Sequence, residues 1–203
     1  MKDKILKFIK SNFKENDIFS VSEIKLNGVD QLAISKTLSS LVLSKDIYRL
    51  SYGFYCLSIP DEDSLIKGLY KRYIIDDKKA FGVFGGDNYL NNLLGKKLDL
   101  NNLVIYSNKV TSGKKSIYIF KRRIVFHKPY VEITSDNAEV VGLLTYVTTA
   151  SEKELKFNFP ILSSMIKKNH LNADEVIDLT PYFPSKAFSK LLKSNLYRQL
   201  WKH

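Results

Sequence analysis

Cysteine, histidine and long apolar runs are scarce in this chain of 203 residues. The single cysteine, Cys56, excludes an internal disulfide framework and indicates a reducing compartment. The three histidines, His127, His170 and His203, are scattered, so no metal-ligand spacing emerges for a structural zinc site. No apolar run approaches the roughly 18 residues of a membrane span, and the first residues lack the pattern of a secretion signal. We therefore expect a cytoplasmic protein that does not enter a membrane.

Motifs of common enzymes are also missing from the sequence. The serine-hydrolase G-x-S-x-G, the zinc-binding H-E-x-x-H, paired C-x-x-C and the phosphate loop do not occur. The remaining candidates are Asp76-Asp77 for a cation, Glu154 with Lys156 as an E-x-K pair, His127 as a base and Cys56 as a nucleophile. For each of these candidates we favour a structural role over a catalytic one. An active site can still assemble from residues that are distant in sequence. We expect no catalytic residue, no metal and no cofactor.

Aromatic and basic residues, by contrast, are abundant. The chain has 12 tyrosines and 12 phenylalanines, and its formal net charge is +11. A basic excess attracts phosphate polymers without any sequence code, which favours a nucleic-acid partner over solubility alone. Residues 1–60 hold nine basic and six acidic residues, a net charge of +3, so most of the excess lies further along. The stretches Lys109–Lys128 and Ser185–His203 contain seven and five basic residues and no acidic residue.

Apolar spacing in the first 60 residues predicts three short helices. The first covers Lys2–Phe13, and the second begins at the capping box Ser20-x-x-Glu23 and ends at Asn27-Gly28. Asp30 is placed to cap the third, Gln31–Ser44. The third helix has an apolar side of Ile34, Leu38, Leu41 and Val42. Its other positions are small, polar or basic, which suits close approach to a DNA major groove: Gln31, Ser35, Lys36, Ser39 and Ser40.

A tight hairpin is predicted directly after the third helix. Its strands are Ile47–Leu50 and Phe54–Leu57, and Gly53 supplies the turn. Three short helices and a hairpin are the order of a winged helix-turn-helix, with Tyr48, Arg49 and Tyr52 placed to touch the phosphate backbone. We therefore predict a DNA-binding domain at residues 1–60, bounded by the proline-containing acidic segment 59–63.

Residues 61–203 are predicted to form a mixed α/β domain with a small sheet and several helices, which makes the whole chain α+β. The predicted helices cover 64–75, 87–94, 137–148 and 159–169, followed by a basic terminal helix from Ser185 that carries Leu196. A turn is expected at Phe81–Gly86. The predicted strands are 103–107, 116–120, 124–127 and 130–134, with Lys121-Arg122 at a hairpin tip.

The basic hairpin region has two interpretations. It extends the DNA footprint of a first domain that carries only +3, or it faces RNA or an acidic partner surface. We favour the extension. The residues concerned are Lys114, Lys115, Lys121, Arg122 and Arg123.

Several segments resemble AbiEi-type antitoxins of bacterial type IV toxin–antitoxin systems. The likeness rests on residues 33–42, on Ile47–Leu50 and on Gly53-Phe54-Tyr55, and it continues in 88–95, 105–107 and 115–129. Only the helix and wing are specific. The chain departs from the family at Ser35, Ser40 and the hairpin tip, and Lys45 stands where a glycine is usual.

The resemblance implies an antitoxin that represses its own promoter by binding inverted repeats through the winged helix. It also implies a C-terminal domain that counters a cognate nucleotidyltransferase toxin, with or without a stable complex, and no bound cofactor or metal. Two other readings stay open. One is a regulator whose second domain senses a ligand, and the other is an enzyme delivered to DNA.

Overall fold

The computed structural model describes residues 1–201. It has a mixed α/β architecture, which is compatible with the predicted α+β class. The α-helices are α1 (Lys2–Asn12), α2 (Gln31–Leu43), α3 (Glu62–Tyr73), α4 (Asp87–Leu93), α5 (Ala138–Thr149), α6 (Glu152–Phe157), α7 (Phe159–Lys168), α8 (Ala173–Leu179), α9 (Lys186–Lys193) and α10 (Tyr197–Leu200). The strands are β1 (Tyr48–Ser51), β2 (Phe54–Cys56), β3 (Ile75–Asp76), β4 (Lys79–Ala80), β5 (Gly82–Gly85), β6 (Val104–Ser107), β7 (Lys114–Ile119) and β8 (Arg122–His127).

The chain divides into two compact units. The first contains Met1–Arg72 together with Ile117–Arg122, and the second contains Tyr73–Ser116 and the chain from Arg123 onward. All of α3 except Tyr73 therefore belongs with the first unit, although the helix lies beyond the predicted end of the first domain at residue 60. The segment that completes the first unit is the end of β7, its turn and the first residue of β8.

The first unit has an apolar core formed by residues between Ile5 and Tyr55. Ile5 and Ile9 of α1 pack with Ile34 and Leu38 of α2, and Phe19 lies among them. The predicted apolar spacing of both helices is confirmed, because these four side chains are fully buried. Phe19 and Tyr55 exchange two backbone hydrogen bonds of 2.9 Å, which join β2 to the segment that follows α1.

The predicted second helix is a single 3₁₀ turn, Val21–Glu23. Its capping box is present: the Glu23 carboxylate accepts the backbone N–H of Ser20 at 2.7 Å. Ile24 then returns to an extended conformation and is fully buried. The capping box predicts where the turn begins, but starting a helix is unfavourable in so short a segment, and the chain becomes extended at the buried, β-branched Ile24.

The arginine at the end of α3 holds this turn in place. The Arg72 guanidinium donates to the Ile18 carbonyl at 3.3 Å and to the Ser20 hydroxyl at 2.9 Å. It also pairs with the Glu23 carboxylate and lies over the Phe54 ring, 5.4 Å from its centroid. One side chain thus links α3, the 3₁₀ turn and β2 within the first unit.

The chain forms a four-stranded sheet in the order β5-β6-β8-β7, and its strands β5 and β6 lie wholly in the second unit. Strand β5 is antiparallel to β6, with Val83 opposite Tyr106, and β6 is parallel to β8, with Ile105 opposite Phe126. Phe120 and Lys121, both with positive φ, form the two-residue turn between β7 and β8. The tip is therefore one residue earlier than the predicted Lys121-Arg122, because Arg122 already belongs to β8.

The segment Phe81–Gly86, predicted as a turn, contains a fully buried strand. Its two glycines serve close packing rather than a reversal of the chain. A Cβ on Gly82 would lie 1.9 Å from the Tyr73 carbonyl oxygen, and one on Gly85 would lie 2.8 Å from the Tyr106 ring. The prediction was wrong because glycine marks close backbone approach as well as turns.

The predicted strand 130–134 is also wrong, since the structure has no strand there. The side-chain amide of Asn108 replaces a sheet partner: it donates to the Ile133 carbonyl at 2.7 Å and accepts the Ile133 N–H at 2.9 Å. The short antiparallel pair β3 and β4, which the sequence did not predict, turns through Asp77 and Lys78 at positive φ.

Helix α5 is the centre of the second unit. Its residues from Val140 to Thr148 are buried, and it packs against β5, α8 and α9. The predicted terminal helix is divided, because Asn195 adopts a positive φ between α9 and α10, and Leu196 lies beyond the break. Lys202 and His203, part of the predicted basic terminus, lie outside the described residues.

Candidate nucleic-acid interface

Helix α2 is fixed at its start by a side-chain cap and along one side by the core. The Asp30 carboxylate accepts the Ala33 N–H at 2.7 Å, as the sequence predicted. Such a cap stabilises a helix by about 1 kcal/mol. Ile34, Leu38 and Leu41 are fully buried, so the orientation of the helix about its own axis is set.

The five predicted contact residues lie opposite the buried stripe of α2 (Lys36, Ser39 and Ser40) or flank it (Gln31 and Ser35). Four of them are exposed and Ser35 is half-buried. The Ser39 hydroxyl donates to the Ser35 carbonyl at 3.1 Å, and the Gln31 amide lies 3.5 Å from the Ile24 carbonyl. The side chains are short apart from Gln31 and Lys36, and α2 contains no acidic residue.

Two leucines that the sequence prediction omitted lie on this outer side. Leu32 is 66% exposed and Leu43 is 85% exposed. With Lys36 and Ser39 they follow the spacing i, i+4, i+7 and i+11, which places all four on one stripe of the helix. This spacing is present in the sequence, but an exposed leucine on a helix cannot be told from a buried one by spacing alone.

The link from α2 to the hairpin is tied back to the start of the chain. The Lys2 ammonium donates to the Ser44 hydroxyl at 2.8 Å and lies 3.3 Å from the Asp46 carboxylate. The Ser44 hydroxyl also donates to that carboxylate, and these hydrogen bonds, with the charge of Lys2, lower the pKa of Asp46 below its ordinary value. Between Ser44 and Asp46, Lys45 adopts a φ of +61°.

We expect Lys45→Gly to stabilise the protein by about 1 kcal/mol, because residues with a Cβ are disfavoured in the left-handed region. The resemblance places a glycine at this position, in agreement with that conformation. Urea unfolding followed by circular dichroism measures the effect. Lys45→Ala is the control, since it removes the charge and keeps the Cβ. Equal stabilities of the two variants would contradict the backbone explanation.

The hairpin presents an arginine and a tyrosine together. The Arg49 guanidinium lies over the Tyr52 ring, 5.3 Å from its centroid, and its Nε is 3.4 Å from the Ser51 carbonyl. Tyr52 is 81% exposed, and Tyr48 is exposed at the start of β1. Gly53 has a φ of +79°, which confirms its predicted place in the turn. Arg49 therefore extends from a short hairpin and keeps N–H groups available to an anion.

The five residues of the predicted extended basic surface differ in their surroundings. In the first unit, Arg122 forms an ion pair with Glu62 and is half-buried, whereas Lys121 is exposed in the turn. In the second unit, Lys114 and Lys115 are exposed, and Arg123 donates to the Ser116 hydroxyl at 3.2 and 3.1 Å. Because its charge is paired, Arg122 is the least suited of the five to bind a phosphate.

Part of the terminal basic stretch also has a structural role. The Lys190 ammonium donates to the carbonyls of Thr148, at 3.1 Å, and Ala150. A cation at the C-terminal end of α5 satisfies backbone carbonyls that lack helical partners. Lys193 forms an ion pair of 3.1 Å with Glu152. These two charges stabilise the second unit and contribute less to any external partner.

The side chains considered for catalysis have structural surroundings. Burial raises the pKa of the Cys56 thiol to about 12, which disfavours the reactive thiolate. His127 stacks on Tyr106 with ring centroids 4.8 Å apart, and burial, with a smaller effect of Lys114, lowers its pKa. Glu154 caps α6 by accepting the Ser151 N–H at 2.6 Å. Within residues 1–201, no group of three His, Cys, Asp or Glu side chains could hold a metal ion.

No described helix combines the length and apolar character needed to cross a membrane. Comparison with protein-family models, curated proteins and solved structures finds no match for this chain.

Proposed function

We propose that the first unit is a winged helix-turn-helix that binds double-stranded DNA. The observation that carries the proposal is the outer side of α2, which is exposed and free of acidic residues and is followed directly by a hairpin bearing Arg49 and Tyr52. The opposite side of α2 is buried in the core, so this outer side is the one that a groove can receive.

In this proposal the two elements have different tasks. Gln31, Ser35, Lys36, Ser39 and Ser40 on α2 lie in the major groove and contact base edges or nearby phosphates. Arg49, with Tyr48 and Tyr52, holds the phosphate backbone from the hairpin, because a guanidinium provides several N–H donors to phosphate oxygens. The hydrogen bonds between Phe19 and Tyr55 keep the hairpin fixed to the core that orients α2.

The salt dependence of binding tests this assignment. We expect Lys36→Ala and Arg49→Ala each to weaken binding to all duplexes and to reduce the slope of log affinity against log salt by about one unit. Fluorescence anisotropy with a labelled random-sequence duplex, titrated at several salt concentrations with the full-length protein, measures both quantities.

Lys67→Ala is the matched control, since this exposed lysine lies on α3 beside Asp61. Its slope should equal that of the unchanged protein. A double variant Lys36→Ala, Arg49→Ala that binds as tightly as the unchanged protein at raised salt would contradict the placement of DNA on this side.

We further propose that the protein is an antitoxin and autorepressor of a type IV toxin–antitoxin operon in the cytoplasm. The support is the resemblance to AbiEi-type antitoxins, whose specific segments form α2, β1 and β2 of this structure. The first unit binds promoter inverted repeats, and the second unit counters a nucleotidyltransferase toxin encoded beside it.

Expression of the adjacent open reading frame, alone and with this protein, tests the antitoxin proposal. We expect the neighbour to arrest growth and the full-length protein to restore it. The double variant Lys36→Ala, Arg49→Ala should also restore growth when both genes have foreign promoters. A truncation at Pro60 is unsuitable, because α3 and residues 117–122 belong to the first unit. A neighbour that is harmless, or that is not a nucleotidyltransferase, contradicts this role.

A second candidate function is a transcriptional regulator whose second unit senses a small ligand. A surface cavity of about 590 Å³ in that unit favours it, and its lining includes Asn92, Leu94, Ile161, Met165 and Lys168. Ligand pockets have volumes in this range. A toxin gene next to this one would argue against the ligand-sensing regulator.

A further inference from the structure

Leu32 is an exposed leucine in the first turn of a helix whose other apolar residues are mostly buried. It is the second residue of α2, and at helical spacing Ser35 and Lys36 lie on either side of it one turn further along. Its 66% exposure leaves most of the side chain without protein contacts. Lys36, one turn further along the same stripe, supplies positive charge beside this apolar group.

A major groove offers one apolar group to such a side chain. Base edges there present hydrogen-bond donors and acceptors, and thymine alone among the four standard bases adds a methyl group at C5. Recognition helices contact base edges mainly with their N-terminal residues. Leu32 lies in that part of α2, whereas Leu43, on the same stripe, is the last residue of the helix.

We propose that Leu32 contacts the 5-methyl group of a thymine in the bound duplex and thereby contributes to sequence specificity. This inference rests on the proposed DNA-binding function of the first unit. The short side chains of Ser35 and Ser39 allow α2 to approach the base edges closely, so that Leu32 reaches the methyl group. Burial of the two apolar groups against one another provides the preference for thymine.

Removal of the methyl group from DNA tests the contact without altering the protein. The preferred duplex is first selected from a random-sequence library with the full-length protein. Each thymine of that duplex is then replaced in turn by deoxyuridine, which lacks only the methyl group. We expect at least one thymine whose replacement weakens binding about fourfold, as loss of one buried methyl group predicts.

Two variants assign the effect to a side chain. Leu32→Ala should bind the thymine and deoxyuridine duplexes equally, and both more weakly than the unchanged protein binds thymine. Leu43→Ala, the matched control, should keep the full difference between them. Circular dichroism should show unchanged helix content for both variants, because both leucines are exposed.

The results separate this inference from the function on which it rests. Tight binding of a selected duplex without any sensitivity to deoxyuridine, or with the same sensitivity in Leu32→Ala, overturns the thymine contact and leaves the DNA-binding proposal standing. Binding to all duplexes without preference overturns the thymine contact alone, and failure to bind any duplex overturns both proposals. A DNA-free dimer that Leu32→Ala converts to a monomer would assign Leu32 to a protein interface and also overturn the contact.

Discussion

Gly82→Ala is expected to lower the free energy of unfolding of the second unit by about 3–4 kcal/mol, beyond the common range for a single substitution. The added methyl carbon would lie 1.9 Å from the Tyr73 carbonyl oxygen and 2.8 Å from that of Tyr106. Both neighbours are backbone atoms, so relief requires strand β5 to move away from Tyr73 at the end of α3 and from Tyr106 on β6. Urea unfolding measured by circular dichroism gives the loss, and hydrogen exchange of β5 and β6 locates it.

Gly113→Ala is the control for this prediction, because a methyl carbon there meets no described atom within 4 Å. Its stability should stay within about 0.5 kcal/mol of the unchanged protein. Equal losses in the two variants would show that glycine flexibility, and not close approach at β5, governs the result.

Arg72→Ala is expected to destabilise the first unit by about 2–3 kcal/mol, the range for losing hydrogen bonds to a charged group. The Arg72 side chain is 15% exposed, and its guanidinium bonds to the Ile18 carbonyl, the Ser20 hydroxyl and the Glu23 carboxylate. Its removal leaves these oxygens without that donor and takes away the contact with Phe54. Hydrogen exchange of residues 18–24, together with urea unfolding, measures the change.

Two further variants distinguish geometry from charge. Arg72→Lys keeps the positive charge and loses the planar fork of donors, so it should recover only part of the stability. Lys71→Ala, at the exposed neighbouring position, should change it by less than about 0.5 kcal/mol. Full recovery by lysine would mean that charge alone holds the 3₁₀ turn.

Local signals were sufficient for α2 and the hairpin. The Asp30 carboxylate caps the helix by accepting the backbone N–H of Ala33, three residues later. Gly53 provides the positive φ of the hairpin turn. The apolar residues of α2 repeat at helical spacing, so the side of the helix that faces the core was also predictable. Interactions between residues close in sequence set these features, and no distant partner was needed to recognise them.

Distant partners explain the failures. Gly82 and Gly85 are needed because Tyr73 and Tyr106 approach them, and nothing next to the glycines reveals this. Residues 130–134 lack a strand because Asn108, more than twenty positions earlier, binds the Ile133 backbone. The sheet order, with parallel β6 and β8, depends in the same way on contacts that the local pattern does not encode.

The candidate interface was predictable in part. The predicted polar contact residues of α2 follow from the buried stripe, and four of the five are exposed, in agreement with the sequence pattern. Leu32 and the pairing of Arg122 with Glu62 were not predicted. The role of Leu32 depends on an apolar side chain staying outside the core, which the spacing does not show. The Arg122–Glu62 pair joins residues sixty positions apart, which local patterns do not connect.

The route of the chain between the units has a consequence for synthesis. Residues 117–122 complete the first unit, although 44 residues of the second unit, Tyr73–Ser116, are translated before them. The N-terminal unit therefore cannot assemble fully until that intervening stretch has emerged from the ribosome. A nascent chain stalled before Ile117 would lack the segment carrying Arg122, the partner of Glu62 on α3.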